Sequence, residues 1–168
     1  MTTNTPHIGN TYLTFTLGGE TFALDIANVR EVMDVAPVAR IPRMPDFFHG
    51  VINLRGNILP VVDLRRILGM PPIEKTVDTC IVIMEIDIDG ETTTMGALAD
   101  SVQEVTDLDA DAIGRVPKIG MKLDTTFIRG MGRHNDGFVI ILDIDNVLSR
   151  SELSALKDAR TEPNPVTV

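Results

Sequence analysis

The stretch Phe47–Leu68, FFHGVINLRGNILPVVDLRRIL, predicts a β-hairpin followed by a short helix. Two apolar runs flank the turn Arg55–Asn57, where Gly and Asn tolerate positive φ angles that β-branched residues avoid. Pro60 cannot donate a ladder hydrogen bond, which predicts an edge position or a bulge. Asp63 is a favourable N-cap for the helix that follows. The hairpin therefore carries a single charged residue, Arg55, at its tip.

A second copy of this unit lies near the C-terminus. Gly50 lies 13 residues before Asp63, and Gly130 lies 13 residues before Asp143, again with an apolar run between them. The earlier segments 19–32 and 90–105 also resemble each other, although with a different spacing. A drifting spacing is typical of a duplicated unit with loop insertions, not of a strict solenoid. The chain is therefore predicted to contain two similar units.

Many short strands, separated by turns about every 8–12 residues, are typical of small barrels or sandwiches, so we predict a mainly β fold. We expect a single domain over residues 11–160, made of two β-barrel subdomains that divide near residues 70–78. Residues 1–10 and 161–168 are predicted to be flexible tails. Ser149 and Glu152 fit a capping box and predict a last amphipathic helix at the C-terminus.

The segment 26–33 fits either one helical face or an alternating strand. We favour a short helical turn at Ile26–Asn28 followed by a strand. In that strand, a period of two would place Val29, Glu31 and Met33 on one face of the sheet.

Composition excludes several classes of protein. The chain has 168 residues, 43% of them hydrophobic, which is enough for a buried core. Its net charge of −9 disfavours nucleic acid and anionic lipid as partners. Residues 1–70 are neutral overall, with six basic and six acidic side chains, so this half is the better docking surface for an acidic partner. With no signal pattern and no apolar run of about 20 residues, we expect a soluble cytoplasmic protein without direct membrane insertion.

Motifs for chemistry are incomplete. The acidic runs at 85–90 and 107–111 resemble calcium loops but lack the bidentate acid at position twelve. Cys80 is the only cysteine, and it opens an apolar strand, which favours an inert core thiol. Asp63 and Asp143 could act as general bases, but their positions before helices favour N-caps. We predict no catalytic residue, no metal site and no cofactor.

The residues 50–65, GVINLRGNILPVVDLR, resemble the signature of the CheW-like domain family, G-V-x-N-L-R-G-x-I-x-P-V-x-D-L-R. The segments FTLG at 15–18, ALDI at 23–26, VREV at 29–32 and LDI at 142–144 also match, so the resemblance covers about residues 12–150. It implies two SH3-like five-stranded barrels that share an apolar seam. It also implies a non-enzymatic adaptor of chemotaxis that couples chemoreceptors to the histidine kinase CheA.

In this family the cytoplasmic hairpin tip of the receptor binds in a groove between the two barrels. The receptor-binding positions implied by the resemblance are Val29, Glu31, Gly50, Asn53 and Arg55. Val29 would supply apolar contact, Arg55 a charge-assisted bond to a receptor acid, and Gly50 room for a close backbone approach. The regulatory domain of CheA would bind the barrel ends, and other CheW-like domains would join it in rings at membrane-associated receptor arrays. No residue is assigned to the kinase contact.

Two alternatives remain open at the level of sequence. The same fold could couple a twitching or surface-sensing pathway. An acidic, metal-dependent enzyme of small molecules could instead use Asp63 or Asp143.

Overall fold

A computed structural model describes residues 11–71, 75–88, 90–108, 128–134 and 137–149. Strands dominate this part of the chain, with two short α-helices and one turn of 3-10 helix at Ile26–Asn28. The strands are β1 (Thr11–Leu17), β2 (Glu20–Asp25), β3 (Val29–Asp34), β4 (Phe48–Leu54), β5 (Asn57–Asp63), β6 (Cys80–Ile88), β7 (Glu91–Ala99), β8 (Ser101–Asp107), β9 (Ile128–His134) and β10 (Gly137–Leu142), and the helices are α1 (Leu64–Ile67) and α2 (Ile144–Ser149). The predicted mainly β class is confirmed, and so is the helical turn that precedes β3.

The described strands form two five-stranded sheets. The first has the order β8-β1-β2-β10-β9 and the second β3-β6-β7-β5-β4. Read in order, the two sheets are equivalent strand by strand, because β8 matches β3 and β9 matches β4. Each sheet also contains one parallel pair, β2 with β10 and β7 with β5. The predicted duplication of five-stranded units is therefore visible in the topology.

Each sheet combines strands from both repeats. The second sheet takes β3, β4 and β5 from the first repeat and β6 and β7 from the second, while the first sheet takes the remaining strands. The predicted division near residues 70–78 is therefore wrong, because one sheet contains strands from both sides of that segment. The parallel pairing of β5 with β7 holds the two sides of the segment together.

Apolar residues on both faces of the strands fill three clusters. One cluster draws side chains from both sheets, including Phe15 and Phe22 of the first sheet and Met84 of the second. Two smaller clusters lie within single sheets, one around Tyr12 and Ile141 and the other around residues 52, 59, 61, 81 and 83. Strands buried on both faces carry continuous apolar runs, which explains the run 80–84 in β6. The large cluster packs the two sheets against each other, as the family's shared seam implies.

A bulge at Arg30 changes the expected faces of β3. Val29 pairs with Met84, whereas Glu31 already pairs with Ile83, so the register shifts by one residue. Paired residues share a face, and Met84 belongs to the cluster between the sheets, while Ile83 belongs to the cluster of the second sheet alone. Val29 and Glu31 therefore lie on opposite faces. The expectation that both share a face with Met33 is wrong for Val29, because the bulge adds a residue to β3.

Pro60 lies in an internal strand, since β5 pairs with both β4 and β7. Its ladder with β7 begins only at Val61, so the proline precedes the doubly paired part of the strand. Pro60 therefore occupies an edge position, as predicted, because at this residue β5 is paired with β4 alone. The tails at 1–10 and 161–168 and the helix predicted after Ser149 lie outside the described residues.

Candidate functional site

The tip of the β4–β5 hairpin carries an ion pair with both partners on the second sheet. The Arg55 Nη1 and Nη2 atoms donate to the two carboxylate oxygens of Glu31 at 2.8 and 2.9 Å. Glu31 lies in β3 and Arg55 follows β4, and these are the two end strands of the sheet. The pair therefore bridges the two edges of the sheet with fork-to-fork geometry.

Both charges remain open to solvent. The Arg55 side chain is 70% exposed and that of Glu31 is 33% exposed. The hydrogen bonds from Arg55 lower the pKa of the Glu31 carboxyl, so this group stays ionised through the neutral range. Exposed ion pairs contribute little to folding stability, because water screens them. We therefore interpret this ion pair as a surface that another protein can contact, rather than as a source of folding stability.

The turn holds Arg55 in a defined place. Arg55 has φ +51°, a left-handed conformation that is uncommon outside glycine, and Gly56 follows it at φ +89°. The Asn53 side-chain oxygen accepts a hydrogen bond from the backbone N–H of Gly56 at 2.9 Å. Asn53 therefore fixes the turn that presents Arg55, as a side chain in an Asx-type turn does.

Gly50 is buried at the other end of the hairpin, against the chain's own backbone. A Cβ atom built on Gly50 would lie 2.1 Å from Val38 Cγ1 and 2.6 Å from the carbonyl oxygen of Ala39. Ala39 and Val51 exchange two backbone hydrogen bonds there, of 2.9 and 2.8 Å. The close approach expected at Gly50 is therefore made by residues 38–39 of the same chain.

A groove of about 380 Å³ runs beside the ion pair. Arg30 contributes a further charge, and Ile58 contributes an apolar side chain that is 57% exposed. Glu31, Arg55 and Asn53 lie together at this end of the sheet. Val29 faces away from Glu31 and packs against the cluster between the sheets. The structure thus joins three of the five predicted residues and places Val29 and Gly50 apart from them.

The equivalent edge of the first sheet carries a related contact. His134 of β9 lies 2.6 Å from the Glu104 carboxylate of β8, and these are again the two end strands. Glu31 and Glu104 occupy matching positions in the repeated segments, VREV at 29–32 and VQEV at 102–105. The ring of His134 is charged only when it is protonated, so this contact lacks the permanent cation of Arg55.

Sequence reasoning missed one buried ion pair. The Arg65 Nε and Nη2 atoms donate to the two Asp100 oxygens at 3.0 and 2.6 Å, and Arg65 Nη1 donates to the Pro71 carbonyl at 2.6 Å. Asp100 lies between β7 and β8, where the chain passes from one sheet to the other, and it also accepts from the Gly18 N–H at 2.8 Å. Arg65 is the last residue of the family signature, which marks it as a candidate. No sequence pattern, however, links Arg65 to Asp100.

Other polar candidates have structural places. The Asp63 side chain accepts from the Arg65 N–H at 3.0 Å, which confirms the predicted N-cap. Cys80 is buried, and burial raises the pKa of its thiol, in agreement with an unreactive core cysteine. Among the described residues, no group of three or more His, Cys, Asp or Glu side chains is arranged to hold a metal ion. In the same part of the chain, no helix is long and apolar enough to cross a membrane.

Comparison with known proteins places this geometry in a family. The sequence pattern of the CheW-like domain matches residues 11–152. The chemotaxis protein CheW of Klebsiella aerogenes is 33% identical over 147 residues, covering 88% of this chain and 86% of that protein. A probable chemotaxis protein CheW of Rhizobium etli is 29% identical over 143 residues, covering 85% of this chain and 90% of that protein.

A solved structure agrees with the fold. The crystal structure of the scaffolding protein TtCheW from Thermoanaerobacter tengcongensis superposes with a TM-score of 0.76 at 31% sequence identity. The match covers 90% of this chain and 96% of that one. These relatives are named as chemotaxis and scaffolding proteins, in agreement with the prediction that this chain is not an enzyme. The chain belongs to the CheW-like domain family.

Proposed function

We propose that this protein is a non-enzymatic chemotaxis adaptor that couples chemoreceptors to the histidine kinase CheA. Its place would be in the cytoplasm, at membrane-associated receptor arrays that it joins through its partners. The proposal rests on the exposed, bidentate pair of Glu31 and Arg55 beside a groove with the exposed side chain of Ile58. Relatives named chemotaxis protein CheW and scaffolding protein support the pathway.

The receptor's cytoplasmic hairpin tip is the proposed partner of this surface. A guanidinium has five N–H donors in a planar fork, and Glu31 accepts from only two of its nitrogens. Arg55 can therefore bind a receptor carboxylate while it keeps its own partner. Ile58 would contact an apolar side chain of the receptor helix, a mode common to helices that lie in grooves.

We assign different roles to the five candidate residues. Glu31, Asn53 and Arg55 form the contact surface, with Asn53 acting mainly by fixing the turn. Gly50 and Val29 support that surface indirectly. Gly50 leaves room for residues 38–39, and Val29 packs β3 against the core. The CheA regulatory domain and other CheW-like domains in rings remain further proposed partners, with no residues assigned to their contacts.

A pull-down with a receptor cytoplasmic fragment tests this proposal. Arg55→Glu should abolish capture, because it places two acids side by side where the receptor acid would bind. Arg133→Glu is the matched control, since it makes the same charge change at an exposed residue on the equivalent hairpin of the other sheet. Capture of Arg55→Glu at the wild-type level would exclude the proposed surface.

A further inference from the structure

Three exposed arginines line a second groove and have no acidic partner in the described part of the chain. Arg40, Arg43 and Arg66 form no ion pair with any residue in the described ranges. Elsewhere in the same ranges, Arg30, Arg55, Arg65, Arg129 and His134 each contact a carboxylate. In a protein of net charge −9, three cations in one groove without an ion pair to any described residue are an unusual concentration of positive charge.

The walls of the groove are mainly polar. Its volume is about 230 Å³, and it lies between the segment 40–46, the start of β4 and helix α1. Ile41, Met44 and Phe48 also line the groove but contribute little exposed apolar surface, and Asp46 is the one acidic side chain among the described lining residues. Such a site is suited to binding carboxylates.

The environment of His49, which also lines this groove, reflects the local positive charge. Burial lowers the pKa of the half-buried His49, and the positive charges of Lys75 and Arg40 lower it further, while Asp63 acts in the opposite direction. The imidazole is therefore neutral at physiological pH. The positive charge that a bound carboxylate would meet in this groove comes from the arginines.

We propose that this groove binds an acidic segment of a partner protein through two or more carboxylates of that segment. Charge complementarity identifies the occupant, because guanidinium groups bind carboxylates by strong, charge-assisted hydrogen bonds. The acidic remainder of the protein repels long polyanions such as nucleic acids, which favours a short acidic peptide.

This surface is separate from the proposed receptor surface. His49 and Arg55 are six residues apart along an extended strand, which corresponds to about 20 Å. Substitutions in the groove therefore leave the Glu31–Arg55 pair in place. The two surfaces can be tested independently, and the failure of one proposal leaves the other standing.

Fluorescence anisotropy with a labelled peptide tests the groove. The probe is a short peptide with four glutamates, and its glutamine counterpart controls for charge. We expect Arg43→Glu/Arg66→Glu in the full chain to weaken binding about tenfold or more, as the loss of hydrogen bonds to charged groups predicts. Arg133→Glu, which lies outside both surfaces, should bind as the wild type does.

Several outcomes would overturn the proposal. The first is that Arg133→Glu weakens peptide binding as much as Arg43→Glu/Arg66→Glu does. The second is that the glutamine peptide binds as tightly as the glutamate peptide. The third is that Arg43→Glu/Arg66→Glu binds the glutamate peptide as tightly as the wild type does. Phosphatidylglycerol vesicles provide a further arm, because binding of vesicles but not of the peptide would assign the groove to lipid instead. As a second readout, the peptide should raise the pKa of His49 in an NMR titration, and a constant pKa would contradict a carboxylate in this groove.

Discussion

Two arginines of this protein each bind a carboxylate through two nitrogens, yet their surroundings differ. Arg65 and Asp100 lie at the passage between the sheets, with side chains that are 7% and 21% exposed. Arg55 and Glu31 lie at a hairpin tip, where the arginine is 70% exposed. The geometry is alike, so burial must decide what each pair does.

Burial makes the first pair part of the fold. A charge removed from water is costly unless its partner and its hydrogen bonds are complete, and Arg65 satisfies Asp100 together with the Gly18 N–H. The exposed charges of Arg55 and Glu31 do not need a partner within the protein, because water can solvate either of them alone. Its two charges are therefore available to another protein without loss of the fold.

The largest expected effect follows from removing one buried charge. Arg65→Met should destabilise the protein by about 2 kcal/mol, because the half-buried Asp100 would lose its cation and two hydrogen bonds. The matched change Arg55→Met should leave the midpoint of urea unfolding unchanged. Equilibrium unfolding in urea measures both, and equal midpoints for the two variants would contradict the contrast between the pairs.

A loss of similar size is expected on the hairpin that carries Arg55. Gly50→Ala should destabilise the protein by about 2 kcal/mol, because the new methyl group overlaps Val38 and the Ala39 carbonyl. Gly56→Ala is the control, since it also has a positive φ but its Cβ would meet nothing within 4 Å. If both variants unfold at the same urea concentration, close packing at Gly50 is not a stabilising feature.

Acid should weaken the buried pair. Burial raises the pKa of Asp100, but the hydrogen bonds from Arg65 and Gly18 outweigh it, and the folded-state pKa lies below the ordinary 3.8. A lowered carboxyl pKa contributes stability above the unfolded-state value, and this contribution is lost as the pH falls through the folded-state value. The difference in urea midpoint between the wild type and Asp100→Asn should therefore shrink from pH 7 to pH 3. A constant difference would contradict this linkage.

Local features were predictable from the sequence because they depend on neighbouring residues. The apolar alternation gave the strands, and Asp63 and the Ile26–Asn28 turn followed from capping and turn preferences. The hairpin tip was predictable for the same reason, since Gly56 permits the positive φ that the turn requires.

Features that depend on distant residues were not predictable. Repeats in the sequence do not say which strands pair, so the exchange of strands between the repeats was missed, and the division at 70–78 was wrong. The bulge at Arg30 depends on its partner strand β6, and Arg65 meets Asp100 across 35 residues of chain. Gly50 was expected to leave room for the receptor, whereas in the structure Val38 and the Ala39 carbonyl lie against it.

The central claim is that Arg55 contacts a receptor acid, beyond holding the two end strands of its sheet together. The double variant Glu31→Arg/Arg55→Glu separates the two roles, because it preserves an ion pair across the sheet edges with the charges exchanged. We predict that this variant unfolds at the wild-type urea midpoint but is not captured by a receptor cytoplasmic fragment. Capture at the wild-type level would contradict the claim and would leave the pair with a structural role alone.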